Sequence, residues 1–350
     1  MKIVIDSSNL HSLSKARGIG IYARQLFSHL SQVSSKNQYA LATSTNQTQD
    51  ADLIHYPNFD LFFLTLPLKK KAKRVVTVHD VTPLVFPDHF SVGLKGKAKF
   101  RIQLTALRLA DAIVTDSKSS KQDIIKHLKI PSKKIHVVYL GVSKEFKPVK
   151  SKSLLQKARR KYKLENPFIL YVGDVNYNKN VPVLIRAFAK IKNKKLNLVM
   201  VSKAWKNKHI TEVMEINKLI DSLGLKNRVK KITKLPADSV SDLVNIYNLA
   251  QVYLQPSLYE GFGLPVLEAM ACGTPVVATG AASLPEVTGS ASIIVEPTSE
   301  GIFKGISKAL SLSSKQKNQL INAGIKQAAK FTWEKTAKET IKVYNKILQR

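Results

Sequence analysis

The sequence is poor in cysteine, in acidic residues and in long apolar runs. Its single cysteine, Cys272, cannot form an internal disulfide, and its small, apolar neighbours do not resemble an electropositive nucleophile site. This favours a reducing compartment. The longest apolar run, 61–68, is far shorter than the roughly 18 residues that span a bilayer, and the run 1–6 lacks the apolar core and cleavage site of a signal peptide. We therefore expect a cytoplasmic location, with peripheral attachment at the inner membrane face as an option.

Acidic residues are too few to balance the basic ones. The chain has 56 Lys and Arg against 24 Asp and Glu, a net charge of +32. Both halves are basic: residues 1–148 carry +13 (23 minus 10) and residues 149–350 carry +19 (33 minus 14). A solvated surface is the ordinary explanation of such an excess. Two clusters nevertheless suit phospholipid headgroups and predict an anionic membrane surface as a partner: Lys69–Arg74, and Lys95, Lys97, Lys99 and Arg101.

Patterning and length indicate two α/β domains. The chain is about two domains long, and in each half short β-branched runs alternate with longer helical patterns, as in a parallel sheet. The predicted strands are 3–5, 39–42, 53–55, 75–79, 112–115, 135–139, 168–172, 196–201, 229–232, 252–254, 276–278 and 293–295. The predicted helices are 20–30, 102–109, 118–128 (capped by Ser117), 183–191, 212–223, 239–249, 264–271 and 333–348. Two similar open sheets in tandem are expected.

The alternation is lost over 146–163, where we predict a linker. The predicted N-terminal domain is therefore 1–148. The predicted C-terminal domain is 149–332.

One segment, Glu260-Gly-Phe-Gly-Leu-Pro-Val-Leu-Glu268, combines a glycine loop, a helix start and two carboxylates. Pro265 suits the first turn of a helix. Gly261 and Gly263 let the backbone approach a ligand, and a helix N-terminus favours phosphate. Glu268 lies about one turn into the helix, from where it can face back toward the loop. The segment predicts an anion cradle with acceptors for sugar or ribose hydroxyls; the alternative is a plain turn with two solvated glutamates.

This segment resembles the E-x7-E signature of the retaining, GT-B fold glycosyltransferases of family 4. The likeness covers nearly the whole chain, in order, at Gly18–Tyr22, Ala110–Ser117, Val138–Val142, Tyr171–Asn180, Glu260–Val277 and Leu284–Gly289. It implies two facing Rossmann-like domains with the active site in the cleft between them, and a terminal helix within 333–350 that crosses back onto the N-terminal domain. The N-terminal domain would bind the acceptor and the C-terminal domain the nucleotide-sugar donor.

The resemblance also implies roles for the residues that match the signature. Glu260 would hold hydroxyls of the donor sugar, and Glu268 would hold the ribose. Lys179, before a helix start at Asn180, would neutralise charge on the leaving diphosphate; without the resemblance it would be one surface lysine among many. Backbone amides would bind the sugar and the distal phosphate, at Gly261, Phe262, Gly263 and Leu264.

Three residues of the first half complete the predicted site. Gly18 and Gly20, in a loop after the first strand, would let that domain approach the donor phosphates, although a bare turn is the alternative. His79 ends a predicted strand, where α/β sheets open toward ligands, and Asp80 is placed to orient its ring. By the resemblance His79 would contact the reacting sugar; a buried, satisfied histidine is the alternative, and His55 has a weaker claim.

One position departs from the family pattern. Many relatives carry arginine after the glycine that ends the first strand of the donor domain, but here Gly173 is followed by Asp174. The resemblance therefore predicts a diphosphate clamp that lacks one contact and depends on Lys179.

No metal site is predicted, because no D-x-D stands in a fitting loop and the histidines are scattered. The two glutamates flank one loop, unlike the acid and nucleophile of a glycosidase. The resemblance implies metal-independent, retaining transfer of a hexose, mannose favoured, without a cofactor. The donor would be a GDP-sugar or UDP-sugar, and the acceptor a glycan or lipid-linked intermediate of cell-surface polysaccharide synthesis.

Two alternatives stay open. A GT-B nucleotide-sugar epimerase would release free sugar without an acceptor. A basic nucleic-acid-binding protein would account for the charge, but the sequence lacks aromatic platforms and recognition motifs, so we expect no nucleic-acid partner.

Overall fold

A computed structural model of the chain describes residues 1–7, 18–43, 45–90, 92–233, 235 and 240–349. The chain forms two units, Met1–Gly141 with Phe331–Arg350, and Val142–Lys330. Each unit holds one six-stranded parallel sheet, as predicted. Ser239 and Arg350, at the ends of two predicted segments, lie outside the described residues.

The first sheet has the order β2-β1-β3-β4-β5-β6. Its strands are β1 (Lys2–Asp6), β2 (Gln38–Ala42), β3 (Leu53–Tyr56), β4 (Lys73–Thr77), β5 (Ala112–Thr115) and β6 (Ile135–Val137). The accompanying helices are α1 (Gly18–Val33), α2 (Thr82–Val85), α3 (Leu94–Arg108) and α4 (Lys118–Leu128). Strands β3 and β5 are buried along their whole length, as expected for central strands of a sheet covered on both faces. Helix α4 begins where predicted, because the Ser117 hydroxyl accepts from the Ser120 amide.

The second sheet has the order β12-β11-β10-β7-β8-β9. Its strands are β7 (Phe168–Val172), β8 (Asn197–Val201), β9 (Val229–Ile232), β10 (Val252–Gln255), β11 (Val276–Thr279) and β12 (Ile293–Val295). Its helices are α5 (Lys152–Tyr162), α6 (Val181–Ala189), α7 (Thr211–Ser222), α8 (Val240–Leu249), α9 (Leu264–Ala271), α10 (Leu284–Thr288), α11 (Ser299–Ser311) and α12 (Ser314–Ala328). The strand order reverses between β7 and β10, which are neighbours in the sheet. Open α/β sheets bind ligands at the carboxyl ends of strands at such a switch point.

The last helix, α13 (Trp333–Leu348), belongs to the first unit, as predicted. It packs against α1, and its amphipathic pattern buries a side that includes Trp333, Val343 and Tyr344. The Thr336 hydroxyl donates to the Tyr139 carbonyl oxygen at 2.8 Å. The described residues include no helix that is both long and apolar enough to cross a bilayer.

The stretch that follows the first unit differs from the predicted linker. Residues 152–162 form helix α5, because Ser151 caps it and Lys163 ends it in a left-handed conformation. The units divide after Gly141 and after Lys330, whereas the sequence placed the divisions at 148 and 332. Contacts explain the first difference: the side chain of Asn248 accepts from the Val149 amide at 2.7 Å and donates to the Lys147 carbonyl at 3.1 Å.

Two local predictions in the first unit are wrong. Gly18 and Gly20 do not lie in a loop: they occupy the first turn of α1. A helix start is itself rich in orphan amide groups, so the sequence signal marked a helix N-terminus rather than a glycine loop. His79 does not end β4, which stops at Thr77, and lies two residues beyond the strand in the loop before α2.

Candidate active site

The loop between β10 and α9 has the predicted glycine-dependent shape. Gly263 precedes the helix with φ of +104°, a left-handed conformation that favours glycine. A Cβ atom there would lie 2.9 Å from Cδ2 of Leu284. Pro265 occupies the first turn of α9, as predicted. The hydroxyl of Ser283 lies 2.8 Å from the carbonyl oxygens of both Glu260 and Phe262, so its single proton is shared between them and fixes the loop.

Glu260 is buried at the start of this loop, and its carboxylate accepts hydrogen bonds from three side chains. Its Oε2 accepts from Nζ of Lys179 at 2.7 Å. Its Oε1 accepts from Nε2 of Gln255 at 2.8 Å and from the Ser257 hydroxyl at 2.7 Å. All three partners donate to one carboxylate, and such charge-assisted bonds are stronger than neutral ones. The arrangement holds the Glu260 carboxyl group in a single orientation.

Lys179 is positioned by the connection between β7 and α6. It closes a short 3₁₀ turn, Tyr177–Lys179, after which Asn180 has φ of +56°. The Asn178 carbonyl accepts from the Leu258 amide at 2.8 Å, and the Asn178 side chain donates to the Tyr259 carbonyl at 3.0 Å. The connection after β7 is thus joined to the glycine loop after β10. This brings Lys179 to Glu260.

Glu268 lies one turn into α9, with its Oε2 accepting from the Tyr247 hydroxyl at 2.8 Å. Burial raises the pKa of Glu268 to about 7, and the Tyr247 hydrogen bond opposes that rise only in part. Glu268 is thus partly protonated near neutral pH. Cys272, at the end of the same helix, is buried, and burial raises the pKa of its thiol, which agrees with the prediction that it is unreactive.

His79 is held at both ring nitrogens in the first unit. Its Nδ1 lies 2.7 Å from Oδ2 of Asp116, and its Nε2 lies 3.1 Å from the Pro57 carbonyl oxygen. Both partners can accept a hydrogen bond, so the arrangement suits a ring that carries a proton on each nitrogen. Burial lowers the pKa of His79, but the charge and hydrogen bond of Asp116 outweigh it and raise that pKa above its ordinary value. The ring of Tyr22 contacts it edge-on at 4.8 Å.

The predicted partner of His79 was therefore wrong. The side chain of Asp80 forms a hydrogen bond within its own loop, where its Oδ1 accepts from the Thr82 amide at 2.9 Å. Asp116, at the end of β5, takes its place, because β5 lies next to β4 in the sheet. Within the part of the chain that the structure describes, no group forms a hydrogen bond with its second oxygen, the buried Oδ1.

His55 is a core histidine. Its Nδ1 lies 2.6 Å from the Tyr344 hydroxyl on α13, and its Nε2 lies 2.7 Å from the Thr77 hydroxyl on β4. Burial lowers its pKa to about 3, so the ring is neutral. This satisfied histidine ties the last helix to the first sheet.

Asp174, which stands where many relatives carry arginine, takes part in the hydrogen bonds of the turn after β7. The Tyr171 hydroxyl donates to the Asp174 carbonyl oxygen, and Oδ1 of Asp174 accepts from the Val175 amide at 3.0 Å. Burial and the nearby charge of Glu260 raise the pKa of Tyr171 well above its usual value. Asp174 thus shapes the turn that leads to Lys179.

The structure unites some predicted residues and separates others. Lys179 and Glu260 form an ion pair in the second unit, which also contains Gly261, Phe262, Gly263, Leu264 and Glu268, whereas Gly18, Gly20 and His79 belong to the first unit. Sequence reasoning missed the residues that support the pair: Gln255, Ser257, Asn178 and Ser283. The polar residues Gln255 and Ser257, at the end of an otherwise apolar strand, were the available signal.

Two family models match the chain. "Glycosyl transferases group 1" matches residues 154–327, and "Glycosyltransferase Family 4" matches residues 16–146. Serotype-specific mannosyltransferase WbdA of Escherichia coli is 30% identical over 279 residues, which are 79% of this chain and 34% of WbdA. The chain thus spans about a third of the length of that relative. O-antigen chain mannosyltransferase B of Escherichia coli is 28% identical over 83% of this chain and 74% of its own length.

Solved structures agree on the fold. Alr3699/HepE of Anabaena, in complex with UDP-glucose, superposes with a TM-score of 0.78 at 18% identity, covering 99% of this chain and 100% of that one. The two parallel sheets and the returning terminal helix are those of the GT-B fold. The chain belongs to the glycosyl transferases group 1, glycosyltransferase family 4, and has the GT-B fold.

Proposed function

We propose that the protein is a retaining, metal-independent hexosyltransferase that takes a sugar from a nucleoside-diphosphate sugar. The observation that carries this proposal is the Lys179–Glu260 ion pair beside a glycine loop and a helix start at the switch point of the second sheet. It joins a cation for a diphosphate to a carboxylate for sugar hydroxyls within 2.7 Å. The Anabaena neighbour holds UDP-glucose in the same fold, which supports a nucleotide-sugar donor.

In the proposed reaction, the bond between the anomeric carbon and the diphosphate oxygen breaks as the acceptor hydroxyl oxygen bonds to that carbon from the same face. The acceptor's proton passes to the leaving diphosphate. Lys179 donates one N–H to Glu260 and has two more for the developing negative charge. Glu260 would orient the sugar hydroxyls and Glu268 the ribose, and the amides of residues 261–264 would bind the sugar and the distal phosphate.

Mannose is the favoured sugar, and GDP-mannose the favoured donor. Support comes from the relatives, since WbdA is named as a serotype-specific mannosyltransferase and the other Escherichia coli relative as an O-antigen chain mannosyltransferase. The acceptor would be a glycan or lipid-linked intermediate of cell-surface polysaccharide synthesis, handled in the cytoplasm at the inner membrane face. The role of His79 toward the reacting sugar and that of Gly18 and Gly20 toward the donor phosphates rest on the family resemblance and stay predictions. The absence of a nucleic-acid partner also stays a prediction.

A donor panel tests this function. A ligand that binds only the folded state raises the apparent melting temperature, by an amount equivalent to about 2.7 kcal/mol at a hundredfold excess over Kd. We expect GDP-mannose to stabilise the protein more than UDP-glucose, and to support transfer to a mannosyl acceptor in the presence of EDTA with retained anomeric configuration. An inverted product would refute the proposed stereochemistry. Epimerised free sugar formed without an acceptor would favour the epimerase.

The pKa of Glu268 predicts a pH dependence of donor binding. If the carboxylate form accepts the ribose hydroxyls, a pKa of about 7 leaves roughly a tenth of the sites ionised at pH 6 and nine tenths at pH 8. The donor Kd should therefore fall about tenfold between these pH values. Titration calorimetry with a nucleotide sugar suits the test, because its diphosphate diester keeps a constant charge over this range.

Glu268→Gln is the matched control for that titration. The amide cannot ionise, so the variant should bind the donor with a flat profile between pH 6 and 8. The pH dependence of folding stability gives a second check, because stability should fall with rising pH whereas donor affinity should rise. Because the folded-state pKa is raised, Glu268 contributes stability that is fully present below its unfolded pKa and is lost as pH rises through about 7. The stability of wild type relative to Glu268→Gln should fall with rising pH; an equal pH dependence in both proteins would contradict the assignment.

A further inference from the structure

The first unit carries a basic surface that the proposed sugar transfer does not use. Residues 61–79 and 89–110 contain no Asp or Glu, but they contain ten Lys and Arg, five in each segment. We call the exposed side chains of residues 61–71 and 94–108 the basic face. Its exposed cations include Lys69, Lys71, Lys95, Lys97 and Arg101. Solvated surfaces ordinarily mix both signs of charge, so a surface this one-sided indicates an anionic partner.

Large apolar side chains stand exposed among these cations. Phe63 is 65% exposed and Leu64 is 55% exposed, side by side at the tip of a turn before Leu66. Leu68 is 51% exposed and Leu94, at the start of α3, is 84% exposed. The ammonium of Lys99 lies 5.5 Å from the centre of the Phe63 ring, so the apolar tip and the basic helix are in contact.

The exposure of Phe63 and Leu64 is enforced by the hydrogen bonds beneath them. The buried side chain of Gln103, on α3, accepts from the amides of Thr65 at 2.9 Å and Leu66 at 3.0 Å. Its Nε2 donates to the Leu66 carbonyl at 3.1 Å. On the other side of the tip, Oδ1 of Asp60 accepts from the Phe63 amide at 3.0 Å. Gln103 thus joins the end of the turn to α3, and Asp60 holds its beginning, so that the apolar tip points outward.

The strand that leads away from the turn is fastened to the same helix. The guanidinium of Arg74 is buried and donates to the carbonyl oxygens of Ala106 at 3.0 Å and Lys69 at 2.9 Å. This bond pair places the lysines from Lys69 onward beside the C-terminal half of α3. The two basic segments therefore form one surface around the apolar tip.

We propose that the basic face docks the protein on a bilayer of anionic phospholipid, with Phe63 and Leu64 inserted below the headgroups. Cations around an apolar wedge match the two layers of such a surface, phosphate outside and acyl chains inside. RNA would also supply phosphates, but its binding is stabilised by aromatic side chains that stack on the bases. Leu64, Leu68 and Leu94 cannot stack in this way, and they are stabilised by transfer into an apolar phase such as the acyl chains. The docking is independent of the sugar-transfer chemistry.

The first test is flotation of the full chain with vesicles of phosphatidylcholine, alone or with phosphatidylglycerol. We expect binding only to the anionic vesicles. Each basic side chain at such a surface changes partition about fivefold, so replacing Lys95, Lys97 and Arg101 by Gln should weaken binding roughly a hundredfold. The double variant Phe63→Ser, Leu64→Ser should weaken it at least tenfold, because it removes the wedge and leaves the charge intact.

Matched controls lie in the second unit. Lys192, Lys194 and Lys195 are exposed, and replacing all three by Gln removes the same charge without affecting the basic face. Leu154→Ser with Met214→Ser removes two other exposed apolar side chains, 52% and 42% exposed. Both control variants should bind vesicles like wild type. All variants should keep the donor-induced thermal shift, so a failure of docking is distinguishable from a failure of the proposed function.

Insertion of the tip at residues 63–64 into the bilayer can be measured separately by tryptophan fluorescence. Both natural tryptophans, Trp205 and Trp333, are buried, so Phe63→Trp adds an exposed indole. Brominated acyl chains should quench that indole on anionic vesicles. The proposal is overturned if the indole stays unquenched, if the Phe63, Leu64 double variant binds vesicles like wild type, or if the charge variant loses binding to single-stranded RNA instead of binding to vesicles.

Discussion

Lys179→Ala and Glu260→Gln are each expected to lower the rate of sugar transfer by about 10²–10³-fold, the loss typical of removing one preorganised group that stabilises transition-state charge. Lys179 Nζ and Glu260 Oε2 are 2.7 Å apart, and both are largely buried. The amide of Glu260→Gln would place an N–H where the native oxygens face only donors, from Lys179, Gln255 and Ser257. One of those donors would then lose its acceptor.

The pair Lys161–Asp242 supplies the control for this prediction. It has the same 2.7 Å separation in the same unit, but its residues lie on α5 and α8 and are not part of the glycine loop. Lys161→Ala should therefore transfer sugar at nearly the wild-type rate. Lys179 and Glu260 should also show strong coupling in a double-mutant cycle, because each is the other's partner. If Lys179→Ala transferred sugar at the wild-type rate, the proposed role of Lys179 in stabilising the leaving diphosphate would be refuted.

Gly141→Ala is expected to destabilise the first unit by about 3 kcal/mol or more, and to lower its melting temperature by roughly 6–12 °C. A Cβ atom at this position would lie 2.1 Å from the backbone nitrogen of Trp333 and 2.4 Å from the carbonyl carbon of Thr332. These are backbone atoms at the start of α13, so no rotamer change relieves the clash. The helix must move away from Tyr139, whose carbonyl holds Thr336 at 2.8 Å.

Trp333 reports on this change directly, because it is buried at the point of contact. Its fluorescence should shift at a lower temperature in the variant, while unfolding of the second unit is unaffected. Gly93→Ala is the control: among the described residues other than its two chain neighbours, nothing lies within 4 Å of the added methyl group, and its φ of −70° suits alanine. A melting curve for Gly141→Ala that overlays the wild-type curve would show that α13 does not depend on this approach.

Local sequence signals predicted the segments of both sheets well. Runs such as 168–172 and 264–271 lie where predicted, since their apolar spacing and turn residues agree with their tertiary environment. The helix over 152–162 was missed, because its charged sequence buries only Ala158 among its residues. Its cap at Ser151 and its contacts with α8 stabilise it instead.

Contacts between distant residues limited prediction of the candidate site. His79 was assigned a neighbour in the chain, Asp80, but its partner Asp116 lies 37 residues away on the adjacent strand. Gln255 and Ser257 precede the glycine loop and looked like ordinary strand-end residues, yet both donate to Glu260. Strand order decides such encounters, and it has no local signature.

The sequence by itself determined the family, the two α/β sheets, the glycine loop with its helix start, and the excess of positive charge. Each depends on residue types at short spacing, which fix local backbone preference and composition. Only the tertiary structure decided that Lys179 meets Glu260 across 81 residues, because β7 and β10 are neighbours at the switch point. It alone also decided that Gln103 holds Phe63 outward, since a buried side chain on one element set the exposure of another.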